Sequence, residues 1–239
     1  MKKRLKINGF IMFIAVVLAA SFPAIFFHYK VEGIFEELTE VSGIALILLG
    51  QIFRVSARGF KSEHSQEGRS LIQGGPYALV RNPMYLGILL IGLGVVLMLF
   101  KWWVACIFLA VFITRYIVLI FKEEKKLLAL FPEAYRDYCS RVPRILPRPA
   151  TFVKGDISGY LPVKLSWLKR EVGSILAVLF ITIFIESRGD IKTKGLWAYA
   201  EEASAVLVTI ILFVGLVVYL NKMTREGLKR DVSTKSKTI

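Results

Sequence analysis

The chain has 239 residues, 55% of them hydrophobic, with a mean hydropathy of +0.58 and a net charge of +14. That hydropathy excludes an ordinary soluble domain, because the apolar residues come in blocks that approach or reach the roughly 20 helical residues needed to cross a hydrocarbon core of about 30 Å. The charge alone would suit nucleic acid, but no basic groove interleaved with aromatic residues is present, and nucleic acid is not an expected partner.

Six apolar runs follow one another, at 7–27, 41–55, 86–100, 104–121, 172–185 and 203–220. The expected fold is therefore all-α, a polytopic membrane protein with about six transmembrane helices. The first run starts behind Lys2-Lys3-Arg4-Lys6 and continues through Phe27, past the small Ala19-Ala20-Ser21 stretch. It outlasts the core of a signal peptide and reads as an uncleaved span. If it runs outward, 26 of the 32 Lys and Arg fall on inner segments, and five (Lys30, Lys101, Arg188, Lys192, Lys194) fall on outer loops. This positive-inside bias places both termini in the cytoplasm, in the inner membrane of a bacterial or archaeal cell, with basic loops against anionic lipid headgroups.

The second run ends at Arg54 to Gly59, and a polar loop leads to Gly74-Gly75-Pro76-Tyr77. Gly-Gly-Pro interrupts any helix there. Pro83 forces a second turn by pushing Asn82 out of the helical region, so the third span is expected to start near Met84. Its Gly87, Gly92 and Gly94 permit close packing on a neighbouring helix. Trp102-Trp103 anchors the tip of the following hairpin at the outer interface. After the fourth span the helix is expected to continue into water over 122–131 and stop at Pro132, followed by a short amphipathic helix over 133–139. Pro143, Pro147 and Pro149 close the motif-bearing region. Residues 151–171 read as an interfacial linker carrying Tyr160 and Trp167, and the last two runs carry no chemical motif. The organisation is thus 1–40, a first span and outer loop; 41–150, the core; and 151–239, the linker, two further spans and a basic tail.

The hairpin matters because it returns the chain to the face it left. Arg81-Asn82-Pro83 and Glu123-Glu124 therefore meet at one bilayer surface. Irregular backbone at membrane level is tolerated only when it is buried in protein or lines a cavity. Tyr77, Tyr85, Tyr135 and Tyr138 can stack on a base or face a cation, and Glu123 and Glu124 supply negative charge. Together these groups suit a cationic, nucleoside-bearing small molecule such as S-adenosylmethionine. Each element alone is ordinary: a Gly-Pro turn, a Glu pair beside Lys126, tyrosines at an interface. The ordered combination carries the specificity. Arg115, inside a span, is costly there and marks a functional or paired position. Cys106 and Cys139 match no metal spacing, and His28 and His64 fall on opposite faces, so no metal site is expected.

The ordered combination resembles the integral-membrane methyltransferase superfamily of isoprenylcysteine carboxyl methyltransferases and phospholipid (phosphatidylethanolamine) N-methyltransferases. The resemblance covers about 41–147. It comprises Gly75-Pro76-Tyr77, then Arg81-Asn82-Pro83-Met84-Tyr85 in place of Arg-His-Pro-x-Tyr, and Gly87. It continues with Glu123 to Leu127 as Glu-Glu-x-x-L, then Phe131, Tyr135, Tyr138 and Val142-Pro143-Arg144. The resemblance implies cofactor contacts at Arg69, Ser70, Leu71 and Ile72, at Tyr77, at Arg81, Asn82, Pro83, Met84 and Tyr85, and at Glu123. The chain departs from the family pattern at Arg69 and Asn82, where histidines are usual. It departs again at Leu119, where eukaryotic isoprenylcysteine enzymes place a substrate arginine.

The expected activity is S-adenosylmethionine-dependent methyl transfer to a lipid or lipidated acceptor in the membrane, either an isoprenylcysteine-type carboxylate or a phospholipid amine. Glu123 is expected to hold a cationic part of the cofactor. Glu124 or a tyrosine is a candidate base for an amine acceptor, and Arg115 a contact for the acceptor. Two alternatives stand beside this: a sterol-reductase-type membrane enzyme using a nicotinamide dinucleotide, and a non-catalytic lipid-binding protein.

Overall fold

The computed structural model describes residues 21–27, 33–65, 70–148 and 157–168, with single positions at 171, 172, 175, 211, 214, 215, 218, 219 and 222. Most of the expected spans at 7–27, 172–185 and 203–220 lies outside the described residues. Seven helices are named in chain order: α1 (Pro23–Phe26), α2 (Ile34–His64), α3 (Pro76–Leu79), α4 (Pro83–Leu99), α5 (Trp102–Leu130), α6 (Pro132–Arg141) and α7 (Ile157–Tyr160). Among the described residues there is no strand, only an isolated bridge between Phe27 and Phe100.

Four of these helices begin with proline at the first position: α1, α3, α4 and α6. Proline lacks the N–H that would be unsatisfied there and has φ already set for the helix. Asn82 stands before α4, but its side chain makes no capping bond. Its amide Nδ2 instead donates to the carbonyl of Arg144 at 3.1 Å, so the turn is tied to a distant segment rather than to its own helix.

Among the described residues two stretches are long and apolar enough to cross a bilayer, Leu38–His64 with mean hydropathy 1.5 and Trp102–Leu130 with 2.6. α4, at 17 residues, is a shorter apolar helix between them. Only 11% of the most apolar part of α5 is buried. Ile107, Val111, Ile113, Val118 and Phe121 stand exposed along it. Water would be a poor solvent for such a surface; lipid is a good one. The chain is a membrane protein.

α2 runs well beyond the expected 41–55, because hydropathy marks only the apolar middle of a helix whose ends carry Glu36, Glu37 and Glu40 and then Lys61, Glu63 and His64. α2 and α4 pack backbone to backbone. A Cβ at Gly50 would lie 2.6 Å from the carbonyl oxygen of Gly87 and 2.8 Å from Cγ1 of Ile91. A Cβ at Gly94 would strike the Gly43 carbonyl. Glycine on both sides is what allows this approach.

At one end of the α4–α5 hairpin, Lys101 N–H donates to the Phe26 carbonyl at 3.0 Å, and the Phe27 and Phe100 rings stack at 4.9 Å. The motif-bearing segments gather at the other end. There α5 continues to Leu130, and α6 follows at once as Pro132–Arg141. A buried cluster of Ile52, Phe53, Val55, Leu79, Val80, Leu86, Leu161, Val163, Trp167 and Ile175 ties α2, α3 and α4 to the segment after α7. Trp167 is buried in that cluster rather than lying at an interface.

Candidate active site

The site begins with the pairing of two short backbone pieces. Arg81 N–H donates to the Pro143 carbonyl at 2.8 Å, and Asn82 N–H donates to the Arg144 carbonyl at 3.2 Å. Neither Pro76 nor Pro83 can continue the preceding chain as helix, so the 80–82 stretch is left extended and needs outside partners for its N–H groups. The Val142-Pro143-Arg144 stretch supplies them.

Charge then locks this junction. Glu124, on α5 and buried, receives the Arg144 guanidinium through Nη2 to Oε2 at 2.9 Å and Nε to Oε1 at 3.1 Å. Arg81 Nη1 approaches its Oε1 at 3.3 Å and also meets Sγ of Cys139 on α6. The Arg144 guanidinium lies over the Phe121 ring, 4.6 Å from its centroid. The bond to Glu124 holds Arg144 firmly protonated. A bidentate pair of this kind fixes direction as well as charge. Glu124 is therefore engaged on both oxygens by two arginines that close the site.

Glu123 stands differently. Its Oε1 accepts from the Tyr85 hydroxyl at 2.9 Å, joining the Arg-Asn-Pro-x-Tyr turn to the Glu pair. The Tyr85 ring meets the Tyr116 ring at 5.2 Å, and Tyr116 stacks on Phe112 at 4.3 Å. Tyr116 lies seven residues before Glu123, two turns along one helix face. That spacing is legible in the sequence, although Tyr116 does not stand out by type.

Tyr77 is carried on the single turn of α3 and is held from two sides. Its hydroxyl reaches the Ala57 carbonyl of α2 at 3.5 Å, and its own carbonyl accepts from the Tyr138 hydroxyl at 2.6 Å. Gly75, with φ of 58°, makes the turn before it, and a Cβ there would fall 2.8 Å from the Phe60 ring. Burial raises the hydroxyls of Tyr77, Tyr135 and Tyr138 above the ordinary phenol range, with Glu123 adding to the effect at Tyr77 and Glu124 at Tyr135. These phenols stay protonated near neutrality; Tyr77 and Tyr138 donate, while the buried Tyr135 hydroxyl has no hydrogen-bond partner among the described residues.

Of the other sequence-predicted residues, Ser70 donates from Oγ to the His64 carbonyl at 3.0 Å. Leu71 packs on the cluster of Tyr135, Tyr138 and Val142, and Ile72 is half-buried beside it in sequence. Pro83 is buried at the start of α4 and Met84 half-buried. Arg69 lies outside the described residues. Arg115 is half-buried, two turns before Glu123; both it and Arg54 of α2 act electrostatically on Tyr116. Sequence reasoning passed over Gln51, a polar residue inside the second apolar run. It is 1% exposed, and neither amide atom has a hydrogen-bond partner among the described residues.

Comparison with known proteins bears on this region. Residues 38–134 match the model of the phospholipid methyltransferase family. The cobalt-zinc-cadmium resistance protein CzcN of Cupriavidus metallidurans is 28% identical over 122 residues, which cover 51% of this chain and 55% of that protein. The chain thus spans about half the length of the curated relative it matches. No solved structure matches. Residues 38–134, which run from α2 into the first turn of α6 and carry Tyr77, Tyr85, Glu123 and Glu124, are thus the part of the chain that is similar to the phospholipid methyltransferase family.

Proposed function

We propose that this protein is an S-adenosylmethionine-dependent methyltransferase whose acceptor is embedded in the membrane, an isoprenylcysteine-type carboxylate or a phospholipid amine. The observation that carries the reading is the Tyr85–Glu123 hydrogen bond. It unites two motifs 38 residues apart at one end of an apolar hairpin, next to lipid-exposed helix and away from the hairpin tip.

The residues present fit such a cofactor. Glu123 offers a half-buried carboxylate for a cation. Arg81 has a buried Nε with no hydrogen-bond partner among the described residues, a donor suited to a carboxylate or a ribose oxygen. Tyr77, Asn82, Pro83, Met84 and Tyr85 surround these two groups in sequence and would shape the pocket, with Ser70, Leu71 and Ile72 along its edge. When bound, the cofactor supplies a methyl group already activated by a sulfonium. The protein's part is to align donor and acceptor and to exclude water. The Glu124 clasp serves both ends by pinning the 142–144 segment against the Arg81–Asn82 turn.

A carboxylate acceptor needs no base. For an amine, Glu124 is poorly placed, since both its oxygens face guanidinium groups, and Glu123 remains as the proton acceptor within reach of Tyr85. An anionic dinucleotide would need free arginines, whereas Arg81 and Arg144 are drawn onto Glu124.

The test is a titration of the full-length protein in detergent with S-adenosylhomocysteine and, separately, with reduced nicotinamide dinucleotide phosphate. The first is expected to raise the Tm through binding to the folded state, and the second to leave it unchanged. No shift with saturating S-adenosylhomocysteine, together with stabilisation by the dinucleotide, would overturn the reading in favour of a reductase.

A further inference from the structure

Outside the family-matched region, residues 161–168 and Glu171 grip the end of α2. Trp167, 5% exposed, lies on Gly59 so closely that any Cβ there would enter its ring. Its indole Nε1–H donates to Glu63 Oε1 at 2.7 Å, the other Glu63 oxygen takes Lys164 Nζ, and Lys164 stands 5.1 Å from the Trp167 ring centroid. Four residues on, Glu171 is 3% exposed and binds Arg54, at 3.4 Å, and Arg58 of α2. Two acidic groups, one from each side of the contact, each hold their partner side.

What this grip reaches is the cofactor turn. Leu161 and Val163 share one buried cluster with Leu79 and Val80, which are 1% and 0% exposed, and α7 touches α3. Leu79 and Val80 lie between Tyr77 and Arg81 in the chain. α3 is a single turn of four residues, too short to hold its own shape, so its position depends on what packs against it.

We propose that Trp167 and Glu63 are positioning residues that set cofactor affinity from outside the cofactor site, by holding Leu161 and Val163 against Leu79 and Val80. Loss of the grip lets the 76–81 turn leave its binding geometry, and apparent affinity falls by the fraction of time spent away. This rests on the cofactor site described above, but its first readout needs no ligand.

Hydrogen exchange of the 76–81 amides is measured in full-length wild type, Trp167→Ala, Trp167→Phe and Glu63→Gln without ligand, followed by S-adenosylhomocysteine titration of each. Trp167→Ala is expected to speed exchange about tenfold and to raise the Kd about tenfold, with kcat at saturating cofactor changed less than about twofold. Trp167→Phe keeps the ring against Gly59 and should recover most of both effects. If Trp167→Ala does not fold, Glu63→Gln carries the test, with an expected exchange increase of about threefold. Exchange at the wild-type rate in a folded Trp167→Ala, or in Glu63→Gln where the alanine variant does not fold, overturns the proposal. Faster exchange in a protein whose wild type binds no S-adenosylhomocysteine keeps the grip and removes the cofactor assignment instead.

Discussion

α2 and α5 are nearly equal in length, 31 and 29 residues, and both are apolar enough to span a membrane, yet they live in different surroundings. From Gly50 to Gly59, α2 is almost wholly buried, in backbone contact with α4 and covered elsewhere by α3 and the 161–168 segment. α5 keeps one narrow face, Phe112, Tyr116, Ile120, Glu123 and Glu124, against the protein and gives the rest to lipid. The helix with less hydropathy is the one that is buried. Packing in a bilayer follows small residues that let backbones meet, not apolar content, because lipid is as good a solvent for leucine as another helix is. α2 acts as the scaffold, while α5 contributes chemistry through one stripe and its membrane-exit end.

The sharpest way to break this comparison is to change side-chain volume on each helix. Gly50→Val would force side-chain atoms into the Gly87 carbonyl and Ile91 and should cost about 3 kcal/mol or prevent folding. Val111→Ala on the exposed face of α5 should change stability by less than about 0.5 kcal/mol. Thermal melts and size-exclusion profiles in detergent read both. Comparable losses from the two changes would mean that α5 is packed against protein over the face assigned to lipid.

Next in size is the clasp at the end of α5. Glu124→Gln puts an NH2 group opposite two guanidinium groups and leaves Arg81 and Arg144 without their carboxylate. Losing a partner in a fully buried pair costs about 3–5 kcal/mol, and the partial exposure of Arg144 (38%) reduces this to about 2 kcal/mol. The Tm should fall, and the Arg81 and Asn82 amides, which donate to the Pro143 and Arg144 carbonyls, should exchange faster. An unchanged Tm would show that the backbone pairing at Arg81 and Asn82 holds the junction unaided.

The stop of α5 at Pro132, the start of α4 beside Met84 and the short helix around Tyr135 are all legible in the chain, since proline and apolar period act locally. What the sequence hid was long-range pairing. Glu123 and Glu124 look alike as neighbours, and only the approach of Arg144, 20 residues on, makes one a clasp and leaves the other to Tyr85. Trp167 beside Lys169-Arg170 has the composition of an interfacial anchor, but the socket at Gly59 that buries it lies more than 100 residues earlier. The partners of Arg54 and Arg58 are hidden for the same reason.

Within the site, Glu123→Gln should weaken S-adenosylhomocysteine binding about tenfold or more, in line with the loss of a charge-assisted interaction of about 1.5–3 kcal/mol. Glu133→Gln, at an exposed position in the first turn of α6, should leave the Kd unchanged. Equal effects of the two would remove Glu123 from its proposed role at the cofactor.

The smallest expected effect separates the two ends of α5's inner stripe. Arg115 stands about 12 Å along the helix from Glu123 at 1.5 Å per residue, and about 80° around it. That places it at the edge between the protein-facing stripe and lipid. It shares with Arg54 an electrostatic influence on Tyr116, whose ring touches Tyr85, the partner of Glu123. Contacts thus lead from Glu123 through Tyr85 to Tyr116, and the role proposed for Arg115 is to hold a polar or anionic part of the acceptor at membrane depth. Arg115→Leu should therefore lower methyl transfer about tenfold, worth about 1.4 kcal/mol in the transition state, while the Kd for S-adenosylhomocysteine stays within about twofold. Arg115→Lys keeps the charge and should recover part of the rate. Normal methylation by Arg115→Leu would make the residue a snorkelling one that reaches the headgroups. The acceptor would then have to be sought on the α2 side of Tyr116, around Arg54 and Gln51.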